Sequence, residues 1–152
     1  MIPIFADYVQ RLQKLHEEIA KTIQDLPQAA LDWLPPGPEM NSLCALAVHV
    51  AGAERYWIGD VVGRDPSNRD RPAEFRAQGL DAAALQARLD QALEHSRTVL
   101  ENLTLADLEA ERTVPKDGRK VSVAWALAQA LGHTAEHLGQ MQITRRWWEQ
   151  CK

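Results

Sequence analysis

Apolar residues recur at three- and four-residue steps in four long stretches, which is the spacing of one face of an α-helix. The predicted helices cover about residues 4–26, 42–63, 81–103 and 122–148. Helix-capping side chains stand at three of the starts: Asn41 or Ser42, Asp81, and Ser122. Pro27 and Gly63 suit the ends of the first two helices. No strand array appears, so the pattern predicts an all-α fold.

The three connections between these helices are long, at about 15–17 residues each. A helix of 22 residues is about 33 Å long, and 17 extended residues can span more than that. A connection can therefore return along the bundle and place consecutive helices parallel, and periodicity alone does not decide the topology. The second connection, residues 64–80, carries arginines and aspartates in alternation. It is either a solvated loop with surface ion pairs or an anion or partner site.

Length and charge narrow the class of protein. A chain of 152 residues suits a single domain spanning residues 1–152. With 17 basic against 21 acidic residues, the net charge of −4 argues against a nucleic-acid partner. The longest apolar runs, residues 43–48 and 123–128, are far shorter than the roughly 20 residues of a membrane helix. The first residues lack a signal-peptide layout, so we expect a cytoplasmic protein without a membrane partner.

The candidate chemistry lies in a pair of histidines on the fourth helix. A separation of four residues puts His133 and His137 on one face, where both rings can reach one metal ion. That face also carries Ala126 and Ala130, which leave room in the core. Thr134 stands where the zinc-protease motif has Glu, so this is not that motif. Buried histidines that merely hydrogen-bond to neighbouring groups are the competing interpretation.

His49 is the natural third member, because it lies in mid-helix beside the apolar stripe of the second helix. Three neutral imidazoles suit zinc, nickel or iron and leave open positions for water or substrate. A structural zinc normally has four protein ligands, so a site with three histidines is typical of a catalytic metal centre. His16 borders the stripe of the first helix and is a candidate neighbour of this site.

Three segments resemble the DinB/YfiT-like superfamily of metalloenzymes. Residues 41–51, with a Ser-led start and His49 about two turns in, resemble the second helix of that family. Residues 133–140 (His-Thr-Ala-Glu-His-Leu-Gly-Gln) resemble its closing motif of two histidines followed by Gly-Gln. Gly118 and the stretch 121–123 resemble the approach to that motif. The resemblance covers nearly the whole chain.

The resemblance implies a four-helix bundle of down-up-up-down type with long crossover connections. It also implies a divalent metal, zinc or nickel above iron, held by His49, His133 and His137, and a homodimer. Relatives in the family include transferases and isomerases that depend on low-molecular-weight thiols. A thiol cofactor that carries carboxylates would need basic residues near the metal, and Arg145 and Arg146 are candidates.

The predicted function is a metal-dependent enzyme that activates a thiol or a water for attack on a small-molecule substrate. A thiol S-transferase or isomerase and a hydrolase would both use the metal to activate a nucleophile. They differ in whether that nucleophile is a thiol or water. Catalytic residues beyond the metal ligands are not assigned, although Gln140 can orient a bound water or substrate. The alternative is a non-catalytic metal-binding or stress-response module, which requires a fourth protein ligand such as His16 and no pocket. A helical bundle without metal is the third hypothesis.

Overall fold

Helices make up most of the chain in the computed structural model, which describes residues 1–151. The α-helices are α1 (Pro3–Ile23), α2 (Gln28–Leu31), α3 (Leu43–Glu54), α4 (Arg71–Phe75), α5 (Ala82–Glu101) and α6 (Val123–Gln150). The smaller elements are a π-helical segment (Arg55–Val62), a 3₁₀ turn (Leu105–Glu109) and two strands, β1 (Glu111–Thr113) and β2 (Lys120–Ser122). The π-helical segment continues α3 without a break, so the four long helices are α1, extended α3, α5 and α6.

The bounds of these four helices agree with the predicted ones to within one helical turn. The side-chain oxygens of Ser42, Asp81 and Ser122 accept the N–H three residues later at 3.0, 2.8 and 3.1 Å. These caps satisfy amide groups that the first turn of each helix leaves open. Helix α1 ends ahead of Pro27, because Asp25 has a left-handed backbone (φ 59°) that no helix continues through.

Contacts between helix pairs give the direction of each helix. Helices α1 and α6 run parallel, since Tyr8 donates to the carbonyl of Leu127 and Arg145 donates to that of Thr22. Helices α3 and α6 run antiparallel, since residue 49 lies beside residue 133 and residue 57 beside residue 125.

Extended α3 and α5 run parallel, because Glu54 contacts Ser96 and Gly63 lies beside Val99. Helix α1 therefore points down, α3 and α5 point up, and α6 points down. This is the down-up-up-down four-helix bundle that the family resemblance implies. The parallel pair requires the long crossover between residues 63 and 81, which contains α4.

The core has two apolar clusters, one toward each end of the bundle. The first includes Ile19, Ile23, Leu46 and Leu89, and the second includes Phe5, Leu12, Ile58, Leu100 and Val123. Buried polar residues, His16, Glu54 and Ser96, lie between the two clusters along their helices. Within the described residues, no helix is long and apolar enough to cross a membrane.

Candidate metal centre

The rings of His49, His133 and His137 meet between α3 and α6. The Nε2 atom of His133 lies 3.0 Å from Nε2 of His49 and 3.0 Å from Nε2 of His137. His49 is 3% exposed, and the other two rings are partly buried. The structure therefore brings together all three histidines that the sequence singles out, although His49 and His133 are 84 residues apart in the chain.

The outer nitrogens of two of these rings have hydrogen-bond acceptors. His49 Nδ1 lies 2.9 Å from Oε1 of Glu74, and His137 Nδ1 lies 2.7 Å from Oε1 of Gln140. Each Nδ1–H therefore donates to an oxygen, which leaves the lone pair on Nε2 directed toward the other rings. A hydrogen bond from the far nitrogen of a ring to a carboxylate or amide oxygen is typical of histidines that bind a metal.

The donor set fits a divalent cation. The Nε2 lone pairs of His49 and His137 both face Nε2 of His133, which carries at most one proton for the two contacts. A cation among the three nitrogens would satisfy every lone pair at once. Nitrogens bound to one tetrahedral zinc lie about 3.3 Å apart, close to the separations here. Three neutral imidazoles match zinc, nickel or iron by donor type.

Two of the three rings stay neutral at physiological pH. Burial, followed by the charges of the neighbouring histidines and arginines, lowers the pKa of His133 to about 3. Burial also lowers the pKa of His137, and the bond to Gln140 opposes that shift only in part. Neutral imidazole is the form that binds a metal, so the site needs no deprotonation to accept one.

Helix α4 supplies the group that orients His49. Burial raises the pKa of Glu74, but hydrogen bonds from Arg69 and His49 outweigh burial, so the net pKa of Glu74 is lowered and the group is a carboxylate. Arg69 donates to both carboxylate oxygens at 2.7 Å. A Cβ on Gly52 would collide with the carboxylate of Glu74, so the glycine leaves the space that this carboxylate occupies beside His49.

An open pocket of about 610 Å³ lies beside this centre. Its lining residues are Tyr56, Asp60, Arg64, Pro66, Asn68, Arg69, Arg71, Pro115 and Lys116. Arg69 joins the pocket to the centre, because its guanidinium bonds Glu74 and its Nη2 lies 3.4 Å from Nδ1 of His49. None of the three histidines lines the pocket itself, so Arg69 is the residue that connects the pocket to the centre.

Several other sequence candidates lie elsewhere. His16 pairs through Nε2 with Oε2 of Glu54 at 2.6 Å and is not part of the three-histidine group. Arg145 donates to carbonyls at the end of α1 and to Glu149, so it does not serve as an anion ligand at the centre. Gln140 holds His137 rather than pointing into open space. Each of these side chains has a hydrogen-bond partner within the chain.

Sequence reasoning missed Glu74 and left the arginines of the 64–80 connection undecided. Both lie on a segment whose path across the bundle has no periodic signal. The only hint in the sequence is the capped start Asp70-Arg71-Pro72 ahead of Glu74, which marks a short helix. That signal predicts α4 but not the helix against which it packs.

The chain matches the sequence model of the DinB superfamily over residues 11–141. No curated protein matches the sequence. Solved structures with the same fold include a conserved protein from Enterococcus faecalis, at 17% identity and a TM-score of 0.79, covering 96% of this chain and 97% of that one.

Two further structures share the fold. YfiT from Bacillus subtilis, a probable metal-dependent hydrolase with an unusual four-helix bundle topology, matches at 13% identity and a TM-score of 0.77, covering 98% of this chain and 90% of that one. A mutant of the mycothiol-dependent maleylpyruvate isomerase matches at 13% identity and a TM-score of 0.66, covering 92% of this chain and 61% of that one. At these identities the likeness shows the fold alone.

Proposed function

We propose that this chain, which belongs to the DinB superfamily, is a metal-dependent enzyme acting on a small molecule. His49, His133 and His137 would hold one divalent ion, zinc or nickel before iron. The observation that carries the proposal is the convergence of three Nε2 atoms, two of them with their Nδ1–H groups bonded to oxygen. Two of the structural relatives are described as a probable metal-dependent hydrolase and as a mycothiol-dependent isomerase.

Each neighbouring residue has a definite task in this proposal. Glu74 and Gln140 hold the rings of His49 and His137 so that their lone pairs point inward. Arg69 holds Glu74 in turn through two charge-assisted hydrogen bonds. A bound divalent ion supplies Lewis acidity, which lowers the pKa of water or a thiol toward neutrality. In this proposal the electrophilic substrate occupies the pocket that Arg69 connects to the centre.

The geometry favours an enzyme over a closed metal-binding module. A closed module needs a fourth protein ligand, and His16, the candidate for it, is bonded to Glu54. Among residues 1–151, the group whose ligand atoms lie close enough to share one ion consists of three histidines. Three ligands leave a coordination position for water, thiol or substrate.

Several expectations from the sequence stay predictions. They are a cytoplasmic location, a single domain over residues 1–152, a homodimer, and the absence of nucleic-acid and membrane partners. A low-molecular-weight thiol as cosubstrate is part of the proposal, and its support is the isomerase among the structural relatives.

The proposal is tested by activity of the zinc- or nickel-loaded protein on model electrophiles. An activated aryl ester and an activated aryl chloride would be assayed with water alone and with glutathione, bacillithiol or mycothiol. We expect turnover that falls at least 100-fold after chelation and in His133→Ala, and that is unchanged in His95→Ala, which alters a histidine outside the centre. Thiol dependence would favour a transferase or isomerase, and ester hydrolysis without thiol would favour a hydrolase. Rates that are the same with and without metal would contradict the enzyme proposal.

A further inference from the structure

Four of the nine residues that line the pocket near the three-histidine centre are cationic. Arg64, Arg69, Arg71 and Lys116 face it, against one acidic residue, Asp60. This concentration of positive charge stands out in a chain whose net charge is −4. A pocket that opposes the net charge of its protein attracts ligands of the opposite sign.

The acidic residue in the lining is already neutralised. Asp60 accepts hydrogen bonds from Arg55 at 2.9 Å and from both the backbone and the hydroxyl of Ser67 at 3.1 and 2.9 Å. Arg55 lies outside the pocket lining, so the pocket cations do not share this carboxylate. Asp60 therefore adds little negative charge to the space that a ligand would occupy.

Three of the pocket cations have no acidic partner. Within the part of the chain that the structure describes, no carboxylate lies within 4.0 Å of the charged groups of Arg64, Arg71 or Lys116. Arg69, in contrast, is fully engaged by Glu74. The three unpaired cations are exposed to the pocket and can each donate to an anionic oxygen.

Stacked side chains connect Arg71 of the pocket lining to the metal centre. The guanidinium of Arg71 stacks 4.9 Å from the ring of Phe75, and Phe75 stacks 4.4 Å from the ring of His49.

The π-helical segment also contributes to the pocket, through Tyr56. Tyr56 is buried, stacks under Arg69 at 5.4 Å and accepts the backbone N–H of Lys116 at 3.1 Å. This bond ties the loop that carries Lys116 to extended α3. π-helical turns are frequent at functional sites because they redirect side chains that a regular α-helix would place elsewhere.

We infer that this pocket binds the anionic group, a carboxylate or a phosphate, of the small molecule that reacts at the three-histidine centre, with Arg71 and Lys116 as its principal contacts. The inference rests on the proposed function, since it names the substrate class of that same site. Arg71 and Lys116 bind the anion from two sides, and Arg64 adds charge at the rim. A neutral substrate would leave these cations without a partner.

The test is calorimetric titration of the purified full chain at low ionic strength with two probes, inorganic phosphate and malonate. Each probe is titrated into metal-free and zinc-loaded wild type, Arg71→Gln and Lys116→Gln. We expect saturable binding of at least one probe to both forms of the wild type, about tenfold weaker in each variant, because each loses one charge-assisted hydrogen bond. The stronger probe identifies the anion as a phosphate or a carboxylate.

The exposed cation Arg146 supplies the matched control, since Arg146→Gln removes the same charge outside the pocket. Binding that Arg146→Gln weakens as much as Arg71→Gln, or the absence of saturable binding by either probe, would overturn the inference. Phosphate binding that requires zinc and ignores both pocket variants would overturn it too, because the anion would then be only a metal ligand. Titration of His133→Ala separates the two proposals. If this variant no longer binds metal but still binds the anion, the pocket binds anions independently of the metal site.

Discussion

At the scale of single residues, the site depends on which nitrogen of each imidazole carries the proton. Glu74 and Gln140 fix that choice for His49 and His137 by accepting from Nδ1. The Nε2 lone pairs of His49 and His137 then both face Nε2 of His133, whose single proton can satisfy at most one of them, whereas a cation among the three nitrogens satisfies all of them. The carboxylate of Glu74 is the stronger of the two orienting groups because it is charged and bonded to Arg69.

Replacement of Glu74 by glutamine should therefore weaken metal binding without unfolding the protein. Glu74→Gln keeps the volume but removes the charge that polarises His49, and loss of such a partner typically lowers affinity by about 10–100-fold. The measurement is competition for zinc against a chromogenic chelator. Glu94→Gln, a change of the same type on the exposed side of α5, is the control and should bind as wild type does. Equal affinities for both variants would show that Glu74 does not support the site.

At the scale of elements, the site requires α4 to lie directly against α3. Gly52 has no side chain at the point where Glu74 crosses it, and the Cβ of any other residue would collide with that carboxylate. Glycine destabilises a helix by about 1 kcal/mol relative to alanine, so the space for Glu74 beside α3 comes with a lower stability of that helix. The packing of two elements is what orients a single ring.

Gly52→Ala should separate helix stability from site geometry. The added methyl group displaces Glu74, so we expect zinc affinity to fall about tenfold or more even though alanine is the better helix former. Gly132→Ala on α6 is the matched control, because a Cβ there meets no atom within 4 Å. The control should keep its zinc affinity and gain stability in urea unfolding. Unchanged zinc affinity in Gly52→Ala would contradict the role of the α3–α4 contact.

At the scale of the whole molecule, a buried polar group ties three long helices together between the two apolar clusters. Glu54 of α3 accepts from Ser96 of α5 at 2.7 Å and pairs with His16 of α1 at 2.6 Å. All three residues are at most 2% exposed. A buried carboxyl group is tolerated only with hydrogen-bond partners, so this cluster specifies how the helices align.

His16→Leu should cost far more stability than the loss of a surface histidine. The change leaves Glu54 with one partner in an apolar environment, and such losses cost about 3–5 kcal/mol in free energy of unfolding. His95→Leu is the control, because the partner of His95 is the exposed carboxylate of Asp65, and solvent screens such a pair so strongly that it contributes little to stability. Urea unfolding measures both. Similar small losses in the two variants would show that the buried cluster does not stabilise the bundle.

The sequence predicts much of this architecture because its main signals are local. Apolar periodicity and side-chain caps give the four long helices, and the four-residue step gives the His133–His137 pair. The path of the 64–80 connection has no such signal, since a loop is directed by the surface on which it packs. Glu74 and Arg71 come from that connection, so their positions beside His49 emerge only from the folded chain. The parallel direction of α3 and α5 follows from the family resemblance and not from periodicity.

The most direct test of the central claim is the metal content of the chain purified without a histidine tag. Incubation with zinc or nickel, gel filtration and elemental analysis should find one ion per wild-type chain. His133→Ala should retain almost none, while His95→Ala, which alters a histidine outside the centre, should match the wild type. Wild-type protein without bound metal, or His133→Ala with the full amount, would contradict the assignment of His49, His133 and His137 as one metal site.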